Sequence, residues 1–351
     1  MKAGKRVGVT ALSHKAIHKF LEDLEEAALA EGFTFRGIKR STGDGSHYEG
    51  RGLVESTGDF EALFEEDVQL LAGTSFLFAR SELDRRVDVL FIDEGGQFSL
   101  ADAMAVGTSA RNLILLGDPN QLPQVSQAAH PPGANASVLE HLLGDDETVR
   151  PEMGVFLEET WRLRPEICDF ISEAFYEGRL HPADQAQRRS LELGNGLRYL
   201  PVDHGGHRSA APEEAEAIAA EIERLVGSGY VDADGVGRPL RYEDVKVVAP
   251  FNAHVRCLRD KLPDAVQVGT VDKFQGQESV VIFYSMASSS GQDVPRGLDF
   301  LFSRNRLNVA ISRARCLAYL VCSPRLLEVN ARTVEQMRLA NSVCRLVELA
   351  R

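Results

Sequence analysis

Cationic residues are in short supply in this chain. Its 351 residues carry 39 Lys and Arg against 52 Asp and Glu, a formal net charge of -13. Phosphate binding depends on clustered Lys and Arg, so a general polyanion-binding surface is excluded and any nucleic-acid contact must be a local groove. Cysteine is sparse too: Cys168, Cys257, Cys316, Cys322 and Cys344 are scattered and form no C-x-x-C pair. That spacing indicates neither a zinc site nor an iron–sulfur cluster, and predicts buried thiols in a reducing compartment. No apolar run reaches the roughly 18 residues that span a bilayer, and the charged N-terminus has no apolar signal core behind it. A soluble, cytoplasmic protein with no membrane partner is expected. Tryptophan occurs once, at Trp161. No G-x-x-x-x-G-K-[ST] phosphate loop exists; the nearest fragment, Gly4-Lys5-Arg6, lacks the leading glycine loop and the hydroxyl. Repeats and low-complexity tracts are absent.

What is present is an alternation of short apolar runs with longer amphipathic stretches. Val7–Val9, Val89–Ile92, Leu113–Leu116, Val245–Ala249, Val280–Tyr284 and Leu317–Cys322 read as buried strands. Lys15–Ala30 and Glu213–Val226 are the clearest helices, with Ile17, Phe20, Leu21 and Leu24 on one face of the first and Ile218, Ile222 and Leu225 on one face of the second. Strand–helix repetition means an α/β fold with parallel sheets covered on both sides. The length predicts two domains, 1–150 and 151–351, with a boundary near Gly144–Gly154. Thr42–Gly58, Asp203–Pro212 and Asp232–Pro239 read as loops.

Chemistry first shows at Asp93 and Glu94, which follow Val89-Leu90-Phe91-Ile92 directly. This places two carboxylates at the carboxyl end of a buried strand, where open α/β sheets bind ligands. One can hold a hydrated magnesium ion while the other deprotonates an attacking water. The next strand runs into Gly117-Asp118-Pro119-Asn120-Gln121-Leu122. Gln121 can donate to a phosphoryl oxygen and accept from a water, although the same tetrapeptide is excellent turn material.

In order along the chain, Val7 to Ala16, Ile92 to Gln97, Gly117 to Leu122, Thr160-Trp161-Arg162-Leu163-Arg164-Pro165, Val271 to Glu278 and Asn305 to Arg315 resemble motifs Ia, II, III, IV, V and VI of superfamily 1 helicases. Their wording is similar to the Upf-like branch. His130-Pro131-Pro132-Gly133 and Phe175 to Leu180 further resemble the helicase half of bacterial RecB-like nuclease–helicase fusions. The resemblance implies two RecA-like P-loop NTPase domains, the first incomplete, and an ATP-dependent helicase that uses Mg2+ and moves on single-stranded nucleic acid, DNA ahead of RNA. It also implies an upstream nuclease domain in the full gene. Motif I lies just upstream of motif Ia in the family, so an N-terminal truncation and poor ATP binding by this chain are expected. The competing expectation is a catalytically silent binding or regulatory module that keeps the fold.

The resemblance assigns roles as follows. Asp93 holds magnesium through water, Glu94 is the general base, and Gln121 senses the γ-phosphate. Arg162 and Arg313 are arginine fingers supplied by the second domain, against the alternative of a helix-surface ion pair for Arg313. Trp161 stacks on adenine, against a core tryptophan. Gly276 lets backbone approach the γ-phosphate, and Glu278 accepts from ribose hydroxyls. Thr10, Ser13 and His14, with Asn252, His254 and Thr270, are the nucleic-acid contacts. Ser13 also reads as a helix N-cap, and the family often has Gln where this chain has His254.

Overall fold

The structure, a computed structural model, describes the chain except residues 125–130, 132, 145, 275, 293 and 351. His130, Pro132 and Gln275, which belong to the motif resemblances, therefore lie outside the described residues. The chain divides into two compact units, Met1–Asp146 and Glu147–Arg351.

In the first unit the runs Val7–Val9 and Val89–Ile92 fall in central strands of a sheet, whereas Leu113–Leu116, expected as a buried strand, is corrected: it lies at an edge, with Leu113, Ile114 and Leu116 exposed. β1 (Val7–Thr10), β2 (Arg36–Arg40), β3 (Val54–Thr57), β4 (Val68–Ala72), β5 (Val87–Ile92) and β6 (Ala110–Leu115) form one sheet in the order β3-β2-β4-β1-β5-β6. Every pairing is parallel. One face packs Val9 and Leu70 against Ile17 and Leu21 of the helix His14–Ala30. The other packs Leu71, Leu90 and Ile92 with Phe78 and Phe98. The segment expected to be a loop from Thr42 to Gly58 contains β3. It is fastened by Glu25, a buried carboxylate that accepts from Tyr48 Oη at 2.7 Å and from the amides of Arg51, Leu53 and Val54. β6 closes the sheet on one side only. Its run Arg111–Ile114 is exposed, with Leu113 and Ile114 at 42% and 40%, so part of the first unit's apolar exposure lies on this open edge.

The second unit holds a five-stranded parallel sheet. β7 (Gly196–Pro201), β8 (Val245–Ala249), β9 (Gln267–Thr270), β10 (Ser279–Ser285) and β11 (Ala314–Cys322) are ordered β7-β11-β10-β8-β9. All pairings in this sheet are parallel. The helices Pro212–Leu225 and Asn252–Lys261 bury Ile218, Ile222 and Leu258 against Val247, Phe283, Tyr319 and Val321. The alternate residues Val248, Ile282, Tyr284 and Leu320 are equally buried, so both faces are covered. The architecture is that of RecA-like domains. All five cysteines are free thiols, with Cys168, Cys316 and Cys322 buried. Among the described residues no helix is long and apolar enough to cross a membrane.

Candidate functional site

Two loops leaving β5 and β6 are locked to each other, and glycine makes the lock. Gly95 N donates to Leu116 O at 2.7 Å, and Leu116 N donates to Ile92 O at 2.8 Å. A Cβ on Gly96 would lie 2.4 Å from Asp118 O, and one on Gly117, whose φ is +147°, would lie 2.7 Å from Gly95 N. Only residues without side chains allow this backbone contact. Glu94 itself adopts a left-handed φ of 56°, and its amide donates to Asp93 Oδ1 at 2.9 Å. Positive φ on a non-glycine residue is a cost that a rigid surround must hold in place.

Asp93 and Glu94 are half-buried. Burial raises the carboxyl of Asp93 above its usual range, against a small opposing effect of the Glu94 amide. Burial raises Glu94 as well, and the neighbouring Asp93 charge adds to it. Among the described residues no cation is within ion-pair distance of either. Gln121 is exposed on the adjoining loop, and its amide donates to Asp118 O at 3.3 Å.

In the second unit a single carboxylate holds two arginines. Glu278 accepts from Arg162 Nε at 2.6 Å and from Arg315 Nε at 2.9 Å. Burial alone would raise its carboxyl, but the hydrogen bonds of Arg315 and Arg162 hold it below the usual range. Arg162 also reaches Ser312 O at 3.3 Å, and Arg313 donates to Gln277 O at 2.8 Å. Arg313 is buried, and desolvation, with Arg162 beside it, pushes its pKa down to about 10. It follows the helix Arg304–Ile311 at the start of β11 and is neither a helix-surface ion pair nor presented to a nucleotide: the side chain is buried, which corrects the arginine-finger role. Glu278, expected to accept from ribose hydroxyls, is also the anion that holds Arg162 and Arg315. Arg315, the last residue of its motif, was not singled out from sequence. The signal that could have found it is its place two residues after Arg313 in the same motif.

Trp161 is 58% exposed, which corrects the core reading. Its carbonyl and that of Arg162 accept from Arg189 NH1 at 2.9 and 2.8 Å. Gly276 is exposed with φ +72° and open space where a Cβ would be. Ser13 caps the helix His14–Ala30, accepting from Ala16 N at 3.1 Å, and remains exposed. His14 Nδ1 lies 3.2 Å from Nζ of Lys39, a fully buried lysine whose pKa burial pushes down to about 8. Asn252 is exposed at the start of its helix, and Thr270 is half-buried at the end of β9. Two contacts are corrected. Thr10 is fully buried, with no hydrogen-bond partner for its hydroxyl, and His254 is fully buried with Nδ1 3.3 Å from Ala211 N and Nε2 2.7 Å from Ser285 Oγ. Neither side chain is presented to a strand.

Two RecA-like units carrying these ordered motifs define the class: a superfamily 1 helicase core of the Upf-like branch. The sequence comparisons agree. A family described as an AAA domain matches residues 134–325, more than half of the chain. Among curated proteins, the probable helicase MAGATAMA 3 of Arabidopsis thaliana is 28% identical over 294 residues, covering 75% of this chain and 34% of that protein. DNA-binding protein SMUBP-2 of Mesocricetus auratus is 26% identical over 343 residues, covering 90% of this chain and 30% of that protein. The chain thus spans about a third of the length of these two relatives. The complex structure of Arterivirus nonstructural protein 10 (helicase) with DNA covers 96% of this chain and 57% of its own at 14% identity and a TM-score of 0.49. The chain belongs to the AAA domain family.

Proposed function

We infer that the chain is the core of an ATP-dependent helicase or translocase acting on single-stranded nucleic acid, DNA ahead of RNA. The observation that carries this reading is the Asp93–Glu94 pair, two half-buried carboxylates with raised pKa values and no cation beside them. Such a pair has unspent negative potential and fits a hydrated Mg2+. When bound, that ion would neutralise charge on a transferred phosphoryl group. Asp93 is the residue to hold it through water. Glu94, with its raised pKa, is suited to take the proton of an attacking water. Gln121, on the loop locked beside it, orients that water. Trp161 offers its exposed ring to adenine, Arg162 supplies a forked cation for the phosphates, and Gly276 offers backbone. Ser13, His14, Asn252 and Thr270 grip phosphates rather than base edges, giving little sequence preference. The names of two relatives, DNA-binding protein SMUBP-2 and DNA polymerase alpha-associated DNA helicase A, support DNA over RNA.

The chain carries no phosphate loop of its own, so by itself it holds nucleotide through the adenine stack and Arg162 alone, which means weakly. Because Trp161 is the sole tryptophan, its fluorescence is a direct probe. Saturable quenching by Mg-ATP in the millimolar range, absent with magnesium pyrophosphate, is the expected result. No quenching, or equal quenching by pyrophosphate, contradicts the adenine role. The missing loop also favours a second reading, a silent strand-binding module, which predicts oligonucleotide binding indifferent to nucleotide.

A further inference from the structure

In a chain of net charge -13, a phosphate contact depends on cations gathered at one place. The carboxyl edge of the second sheet has such a place. Phe300, half-buried in the short helix Leu298–Leu301, carries two guanidiniums on its ring. Arg296 Cζ lies 3.9 Å from the ring centroid and Arg306 Cζ lies 4.5 Å from it. At those distances a guanidinium fits only over a face of the ring, since in the ring plane it would collide with the edge hydrogens. Phe251, the residue before Asn252, packs its own ring 5.6 Å from that of Phe300.

Each of these residues reaches the edge from a strand end. Phe251 follows β8, and Arg296 and Phe300 lie on the chain leaving β10. Arg306 is in the helix Arg304–Ile311 that leads into β11. This is the edge of a parallel sheet where ligands bind, and it carries Asn252 and Thr270. The Asn252 helix is fixed from beneath: His254 Nε2 lies 2.7 Å from Ser285 Oγ, which donates to the fully buried Glu214, itself 2.9 Å from His204 Nε2.

Charge at the ring is unbalanced. Arg306 donates to Asp272 Oδ2 at 3.2 Å, two residues past the end of β9. Arg296 is exposed and has no carboxylate within ion-pair distance among the described residues. The two cations share one ring, so they stand closer together than the roughly 10 Å screening length of 0.1 M salt and repel. The ring's quadrupole offsets that repulsion only in part. An anion beside Arg296 would remove it, and a guanidinium fork suits the two oxygens of a phosphate.

We propose that Arg296 is a phosphate contact for the single strand and that Phe300 is the positioning residue that holds its guanidinium in place. The proposal rests on the strand-binding reading above and adds Arg296 to it. Phe300 acts through Arg296 and touches no phosphate itself.

The test is the binding of a fluorescein-labelled oligodeoxythymidylate to the whole chain, by anisotropy, as a function of salt. Arg296→Ala is expected to weaken binding several-fold and to reduce the slope of log affinity against log salt by about one, the signature of one lost phosphate contact. Arg224→Ala is the control for diffuse charge. It removes an exposed arginine from the last turn of the helix Pro212–Leu225 and should leave the slope unchanged. Phe300→Leu keeps an apolar side chain without a π face; it should weaken binding in the wild type and add nothing in Arg296→Ala. Phe300→Tyr should bind as the wild type does. An unchanged slope in Arg296→Ala, an equal loss of slope in Arg224→Ala, or losses that add in the double variant overturn the proposal alone. Failure of the wild type to bind the oligonucleotide overturns the strand-binding reading beneath it.

Discussion

Replacing Gly96 with alanine places a methyl group 2.4 Å from the carbonyl oxygen of Asp118. The carbonyl is backbone and a Cβ has no rotamer, so no side-chain rotation relieves the clash. An ordinary contact requires the two loops to part by about 1 Å, and forced overpacking of this kind costs roughly 1–3 kcal/mol. The same displacement breaks the 2.7 Å bond from Gly95 N to Leu116 O, worth about 0.5–1.5 kcal/mol net. The sum is about 2–4 kcal/mol, confined to the first unit. Hydrogen exchange read by mass spectrometry resolves it: amides in 87–118 should exchange roughly two orders of magnitude faster, while Trp161 fluorescence, a probe in the second unit, keeps its unfolding midpoint. Gly43→Ala is the control, since a Cβ there meets nothing within 4 Å. Exchange in Gly96→Ala no faster than in Gly43→Ala would refute the interlocked-loop account.

Lys39→Met should stabilise the first unit by about 1 kcal/mol at pH 7, because a buried charge is costly and only part of the gain is lost with the hydrogen bonds to Ser46 O and His14. The folded pKa, about 8, lies below the usual 10.5, so the wild-type penalty is full below pH 8 and fades as pH rises toward 10.5; denaturation midpoints that fail to converge over that window contradict it. Glu94→Gln should likewise raise the first unit's midpoint at pH 7. The Glu94 carboxyl is raised in the folded state, so its cost is present at neutral pH and vanishes below the unfolded value of about 4.3; urea titrations at the two pH values give the comparison. Glu278→Ala should destabilise the second unit by about 1–2 kcal/mol by stranding Arg162 and Arg315. That is less than a fully buried pair would cost, since the Arg162 and Glu278 side chains keep 37% and 30% exposure; a thermal shift under 1 °C would count against the clamp. This chain alone should show no magnesium-dependent ATP hydrolysis, and hydrolysis that Glu94→Gln abolishes would overturn that expectation.

Strands with continuous apolar runs were legible because a buried parallel strand needs them, as in Val89–Ile92 and Val245–Ala249. β2 was not, since Arg-Gly-Ile-Lys-Arg offers one aliphatic residue and its inward lysine reads as surface. β3 was hidden among the glycines and serines of its neighbourhood. The carboxylate pair and the glycine-rich turns were readable because their chemistry sits at strand ends in short contiguous stretches. The hubs around Glu278, Glu25 and Glu214 were not, because their partners are far apart in sequence. A local signal did exist for two of them. Glu25 extends the inward stripe Ile17, Leu21, and Glu214 precedes Ile218, Ile222 and Leu225 at the same spacing. An acid in an apolar stripe announces a buried partner. His254 shows the reverse error, a polar residue after a strand end that turns into the core rather than toward a ligand.

The central claim is that Asp93 and Glu94 serve a nucleotide-driven motor on single strands. Its most direct test is ATP hydrolysis by the protein as its gene encodes it, with and without a single-stranded oligonucleotide, in the wild type and in Glu94→Gln. Hydrolysis stimulated by the strand and lost in Glu94→Gln is the predicted result. Hydrolysis indifferent to the strand, or undiminished by Glu94→Gln, would contradict it.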